Sequence, residues 1–285
     1  MRKDADFVLR IVSEDRKGIV AAVANAMVRQ DCNIVESAQY GDPDSGRFFM
    51  RVAFSAPDGL SQDAFSAAFA PVAEPFQLDW QIHDLRRKLR AMIMVSQGGH
   101  CLNDLLYRTS TKRLPMEVTS IVSNHLTWQR RADHEGVPFY HLPVTPENKL
   151  EQEARLLAMV EEQQVDLVIL ARYMQVLSDQ ICRKLDGRVI NIHHSFLPGF
   201  KGAKPYHRAH ERGVKMVGAT AHYVTPDLDE GPIIAQDVSI VDHADTVDAL
   251  IAQGQDTESR VLARAVKLHL EHRIMLNGNR TVVFK

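Results

Sequence analysis

Cysteine is scarce. The 285 residues hold three, Cys32, Cys101 and Cys182, odd in number and far apart. They make neither a disulfide framework nor the paired spacing of a zinc site, and they point to reduced thiols in a cytoplasmic protein. No apolar run approaches the ~20 residues that would cross a bilayer. The stretch from Val165 to Ala171 is short and is broken by Asp166. Met1 to Asp6 leads into a short alternating segment rather than the apolar core of a targeting signal. An excess of charge is missing too. Lys+Arg number 34 against 36 Asp+Glu, a formal net charge of -2. That removes the electrostatic case for nucleic acid as the main partner. Only Arg86-Arg87-Lys88-Leu89-Arg90 is densely basic. Internal repeats and low-complexity segments are absent as well. What is present, 45% hydrophobic and 25% charged residues, excludes a disordered chain. The length suits one large or two ordinary domains.

Residues 1–85 read as a small first domain. Phe7, Leu9 and Ile11 alternate onto one face of a strand. From Ile19 the period changes to helical, with Ile19, Val20, Val23 and Met27 on one stripe. Asn33 to Tyr40 and Arg47 to Ser55 follow as strands around a Gly/Asp/Pro turn, Phe49 alternating with polar Arg51. A helix over Ser61 to Val72, capped by Ser61, and a strand over Phe76 to His83 complete the order βαββαβ, a ferredoxin-like pattern. Residues 86–90 read as a linker. Residues 91–285 alternate strand and helix, which predicts a doubly wound, mostly parallel sheet ending in a long closing helix over Asp245 to Leu270. Ligands of such sheets lie beyond the carboxyl ends of the strands.

The chemistry concentrates in Val189-Ile190-Asn191-Ile192-His193-His194-Ser195-Phe196-Leu197-Pro198. Asn191 and His193, two apart on a strand, point the same way at its end. An amide beside an imidazole suits an oxygen that gains negative charge, and the imidazole can also move protons. A second apolar strand ends at Val224 and runs into the acidic loop Asp227-Leu228-Asp229-Glu230 before Gly231-Pro232. A carboxylate there can orient a histidine or hold a water, although a solvated turn has the same composition. His100-Cys101 offers a nucleophilic pair, but neighbours in sequence point apart. The histidines around His207 and His210 show no metal-ligand spacing.

Asn191 to Pro198 and Leu228-Asp229-Glu230-Gly231-Pro232-Ile233-Ile234 resemble the signatures of the folate-dependent formyltransferases. The resemblance implies a catalytic trio of Asn191, His193 and Asp229. It implies a pterin pocket around Met174, Gln175, Val176 and Leu177, in Leu170-Ala171-Arg172-Tyr173-Met174-Gln175-Val176-Leu177, with Leu102 and His222 nearby. Asp15-Arg16-Lys17-Gly18-Ile19 and the βαββαβ order resemble an ACT domain. This implies pairing between copies of the chain, and a small-molecule effector, such as an amino acid, at Asp15, Gly18 and Asn33. The leading ACT-like domain, the loop Gly98-Gly99-His100-Cys101-Leu102 and Pro205-Tyr206-His207 resemble the hydrolytic branch of the family. In that branch water takes the formyl group of 10-formyltetrahydrofolate, giving tetrahydrofolate and formate for purine synthesis. The alternative is formyl transfer to an amine such as glycinamide ribonucleotide. In relatives that make that transfer, a Gly-Asn-Gly-Ser-Asn loop cradles a phosphate where His100-Cys101 stand here. Folate is then the substrate, with no cofactor and no metal implied. Lys201, Lys204, Arg208 and Arg212 are either a seat for folate's glutamate tail or a solvated basic face.

Overall fold

Alternation from Phe7 builds β1 (Phe7–Glu14), at the centre of a four-stranded antiparallel sheet. In the computed structural model, residues 5–197 and 205–285 are described. The chain falls into two compact units, residues 1–88 with 271–277 and 282–285, and residues 89–270 with 278–281.

In the first unit β1 is followed by α1 (Ile19–Arg29), β2 (Asn33–Asp42), β3 (Arg47–Ser55), α2 (Gln62–Ala73) and β4 (Asp79–Asp84), with sheet order β2-β3-β1-β4. Phe7, Leu9 and Ile11 pack with Met50, Val52, Phe54, Val23, Met27, Phe65 and Phe69 in one core. Ser61 caps α2 by accepting from the Ala64 N–H at 3.1 Å. Three expectations need correction. Val20 is 40% exposed and lies off the α1 stripe. Pro75 fixes a 3-10 turn at Glu74–Phe76, so β4 starts only at Asp79. Arg51 is fully buried on the same face as Phe49 rather than alternating with it. Its guanidinium donates to the Glu271 and His272 carbonyls and pairs with Glu36 at 3.3 Å. Phe49 meets Met275 and Phe284 beside it. Both faces of β3 are therefore covered, one of them by the chain's last residues.

The second unit contains β5 (Leu89–Val95), α3 (His100–Ser110), β6 (Met116–Ser123), α4 (Gln129–Glu135), β7 (Phe139–His141), α5 (Lys149–Glu162), β8 (Leu167–Leu170) and α6 (Asp179–Lys184). Then come β9 (Val189–His193), α7 (Pro205–Arg212), β10 (Met216–Tyr223), β11 (Ile233–Ile240) and α8 (Val247–Leu270). The sheet order is β11-β10-β9-β8-β5-β6-β7. The five strands from β9 to β7 run parallel, and near one edge β10 runs antiparallel to both its neighbours, β9 and β11. The all-apolar β8 is buried throughout, as a strand covered on both faces must be. Arg90 belongs to β5, which shortens the expected linker. α8 does not close the chain. β12 (Ile274–Asn277) and β13 (Arg280–Val283) follow it as a two-stranded sheet, and residues 271–277 belong to the first unit rather than to a domain reaching Lys285.

Candidate active site

Ser96, Arg172 and Asn191 with His193 stand at the carboxyl ends of β5, β8 and β9. Asn191 and His193 share one face at the end of β9, and His193 is buried. β10 lies beside β9 with His222 opposite Asn191. The loop between β10 and β11 then returns Asp229 to the same place. His193 Nδ1 is 3.3 Å from Asp229 Oδ2. His222 Nδ1 donates to the Tyr223 carbonyl, which can only accept. Its Nε2 lies 3.2 Å from Asn191 Nδ2 and 3.7 Å from Asp229 Oδ1. In the neutral ring that Nε2 accepts one amide N–H of Asn191 and leaves the other for a ligand. The hydrogen bond from His193 holds the Asp229 carboxyl well below the usual carboxylate range despite its burial. Ionised Asp229 therefore accepts from His193 Nδ1–H. This leaves His193 Nε2 without the proton and able to accept one, and Nε2 has no hydrogen-bond partner among the described residues.

Asp229 sits at φ 58°, a left-handed conformation that asparagine and aspartate tolerate best. Gly231 secures the loop. A Cβ there would lie 1.8 Å from the Tyr223 carbonyl oxygen, so no side chain fits.

These residues open on a cavity of about 540 Å³, within the range of small-molecule sites. Met174, Gln175, Val176, Leu177 and His222 line it with the expected trio. Leu102 does not: it is fully buried on α3 and is not among the lining residues. The loop from Arg172 to Leu177 is tied to the end of β5. Ser96 N–H donates to the Arg172 carbonyl, and Met174 N–H donates to Ser96 Oγ. Asp15, Gly18 and Asn33 lie in the first unit, all exposed, with Gly18 left-handed at φ 100° before α1. Arg208 and Arg212 are exposed on α7, and Pro198, Lys201 and Lys204 lie outside the described residues. Cys101 is fully buried, and burial followed by the Glu258 charge pushes its thiol far up. It is no nucleophile.

Arg172, His194, Glu258 and Tyr206, given no role by the sequence, form a network with His100 beside the trio. Arg172, itself left-handed at φ 65°, donates from Nη1 to His194 Nδ1 at 2.7 Å. Its Nε lies 3.3 Å from Glu258 Oε2. Glu258 is 1% exposed, takes His100 Nε2 at 2.8 Å and accepts from Tyr206 OH at 2.6 Å. Burial alone would raise the Glu258 carboxyl. The His100 hydrogen bond, the Arg172 charge and the Tyr206 hydroxyl outweigh it and hold the group below its ordinary value. His100, Cys101 and Glu258 bring donor atoms within 4.8 Å of one another, close enough for a metal ion. A cation there would compete with Arg172 for Glu258. Glu258 did leave a signal in the sequence: it is a carboxylate on the buried stripe Gly254, Thr257, Glu258, Val261, Leu262 of α8.

Residues 89–266 match the formyl transferase family model. The whole chain is similar to the formyltetrahydrofolate deformylase of a Corynebacterium species, 49% identical with all of both chains covered. It is similar to the crystal structure of formyltetrahydrofolate deformylase from Burkholderia mallei, 50% identical with TM-score 0.94, covering 99% of this chain and 100% of the other. Glycinamide ribonucleotide transformylase 1 from Symbiobacterium toebii is 32% identical with TM-score 0.65, covering 70% of this chain and 95% of its own.

Proposed function

The chain belongs to the formyl transferase family and, within it, to the formyltetrahydrofolate deformylases, and from that premise we propose how its site hydrolyses 10-formyltetrahydrofolate to tetrahydrofolate and formate. The observation that carries the reading is Asn191, His193 and Asp229 converging on one cavity at the strand ends. The formyl group is an amide-like carbonyl on N10. Water attacks its carbon and a C–O bond forms. His193 Nε2 takes the water's proton, and the resulting imidazolium is held by Asp229. The free N–H of Asn191 donates to the carbonyl oxygen as it becomes an oxyanion. The C–N10 bond then breaks, and His193 returns its proton to N10 as a general acid. Met174, Gln175, Val176 and Leu177 form the pterin wall.

Water rather than an amine is the acceptor. The turn where the transferases resembled above cradle a phosphate is filled: Trp128 packs so tightly on Gly99 that a Cβ there would lie 1.9 Å from the ring. His100 beside it is committed to the buried Glu258 carboxylate. We read the first unit as an ACT domain that pairs copies of the chain and takes an effector at Asp15, Gly18 and Asn33. The enzyme works in the cytoplasm and feeds formate to purine synthesis. No helix among the described residues is long and apolar enough to cross a membrane. The deciding experiment incubates the protein with 10-formyltetrahydrofolate and no amine. Equimolar formate and tetrahydrofolate, abolished in Asp229→Ala, are expected. Release only on adding glycinamide ribonucleotide would make the protein a transferase.

A further inference from the structure

The cavity wall holds two adjacent imidazoles, and only His193 has a task in the reading above. His193 and His194 stack with ring centroids 4.8 Å apart and planes 19° apart. Their outer nitrogens are set oppositely by what each Nδ1 meets. His193 Nδ1 faces the Asp229 carboxylate, so that nitrogen keeps the proton and Nε2 is bare. His194 Nδ1 faces the Arg172 guanidinium at 2.7 Å. A guanidinium has donors only and does not give up its proton, so His194 Nδ1 accepts and the proton of the neutral ring sits on Nε2. Glu258 at 3.3 Å anchors Arg172 in turn, and the carboxylate itself is tied to His100 and Tyr206. The lock therefore reaches back to α8 and α3.

His194 Nε2 is buried and has no hydrogen-bond partner among the described residues, although its side chain lines the cavity. A buried N–H left unpaired keeps the full cost of its lost hydration. The His194 ring lines the space where the substrate sits, so a substrate oxygen reaching that wall is a natural partner for the orphan. Resting on the hydrolase reading, we propose that His194 is a further catalytic residue: a neutral imidazole, locked by Arg172, that donates from Nε2 to the formyl oxygen as it becomes an oxyanion. Asn191 supplies one donor to that oxygen and His194 the other. A neutral donor stays in place through the cycle while its neighbour gains and loses a proton. Burial, then Arg172 and His193, lower the His194 ring to about 4, against weaker pulls from Glu258 and Asp229, so the donor is unchanged across the neutral range.

The test uses the full chain and formate release from 10-formyltetrahydrofolate. His194→Phe keeps a ring against His193 but has no N–H. Its kcat is expected to fall about 100-fold while KM stays within about threefold. His194→Gln restores an amide donor and is expected to recover at least about tenfold of that loss. A kcat within about threefold of wild type in His194→Phe, a loss confined to KM, or a Gln variant no better than Phe would each overturn the proposal. A second measurement needs no active variant. Nitrogen-15 NMR of the wild-type histidines, with the His194 signals assigned by their loss in His194→Gln, is expected to show the proton on Nε2 from about pH 5.5 to 8. A proton on Nδ1, or an imidazolium in that range, sinks the lock. A wild type that releases no formate would instead overturn the hydrolase reading, and the NMR spectrum would still decide the tautomer.

Discussion

At the scale of single residues the site divides its labour by protonation. Asp229 stays ionised because His193 donates to it, and His193 is oriented by that charge. Removing one donor from an oxyanion typically costs about 10²–10³ in turnover. Asn191→Ala should therefore lose kcat by that factor and keep its substrate affinity, as steady-state formate release would show. An Asn191→Ala enzyme with near-normal kcat would remove the amide from the mechanism. His222 has a supporting task. It fixes the amide of Asn191 through Nε2 while its Nδ1 is anchored to the Tyr223 carbonyl.

Elements bring these residues together, and glycine decides how closely they approach. Gly231 passes against the Tyr223 carbonyl at the start of the hairpin that returns Asp229 to β9. The neighbour is backbone, which cannot rotate away. Gly231→Ala should shift the loop and lower formate release by at least about tenfold while the secondary structure survives, checked by circular dichroism beside the assay. Ser61→Ala, which removes the α2 cap, should lower stability by about 1 kcal/mol and leave activity alone, measured by urea unfolding. The elements themselves were largely legible. Period-2 alternation at Phe7, Leu9 and Ile11 and the apolar run before Leu170 are local signals of burial. So was the pairing of Asn191 with His193, because a strand puts alternate residues on one face. The hidden features depend on residues distant in sequence. Arg51 looks solvent-facing until the Glu271 and His272 carbonyls reach it from the far end of the chain. Leu102 sits beside the glycine turn in sequence, but the helix turns its side chain into the core. Arg172 and His194 sit inside the two motifs without an evident role, because their meaning depends on Glu258, far along the chain on α8.

For the whole molecule, the last residues and the buried histidines set stability. Ending the chain at Leu270 would strip Arg51 of two carbonyl acceptors, each worth about 1.5–3 kcal/mol to a charged donor. The first unit should melt well below the second. Trp80 in the first and Trp128 in the second report on each by fluorescence. Coincident melting of both tryptophans in the truncated chain would contradict this. Acid should act on both units as well. His83, stacked on His272, is lowered by burial and by Arg10 from 6.5 to about 4, and His194 is lowered similarly. Between about 6.5 and about 4 the unfolded chain binds protons that the folded chain refuses. Stability should be unaffected by these groups above that window, fall as pH drops through it, and level off below. His83→Phe should flatten the first unit's share of the decline in urea midpoints taken at pH steps. The Glu258 carboxylate has a consequence of another kind. It serves His100, Arg172 and Tyr206 at once, so losing it strands three polar groups and losing one of them leaves a buried charge less balanced. Among descendants of this sequence, positions 100, 172, 206 and 258 should therefore be inherited or replaced as a set.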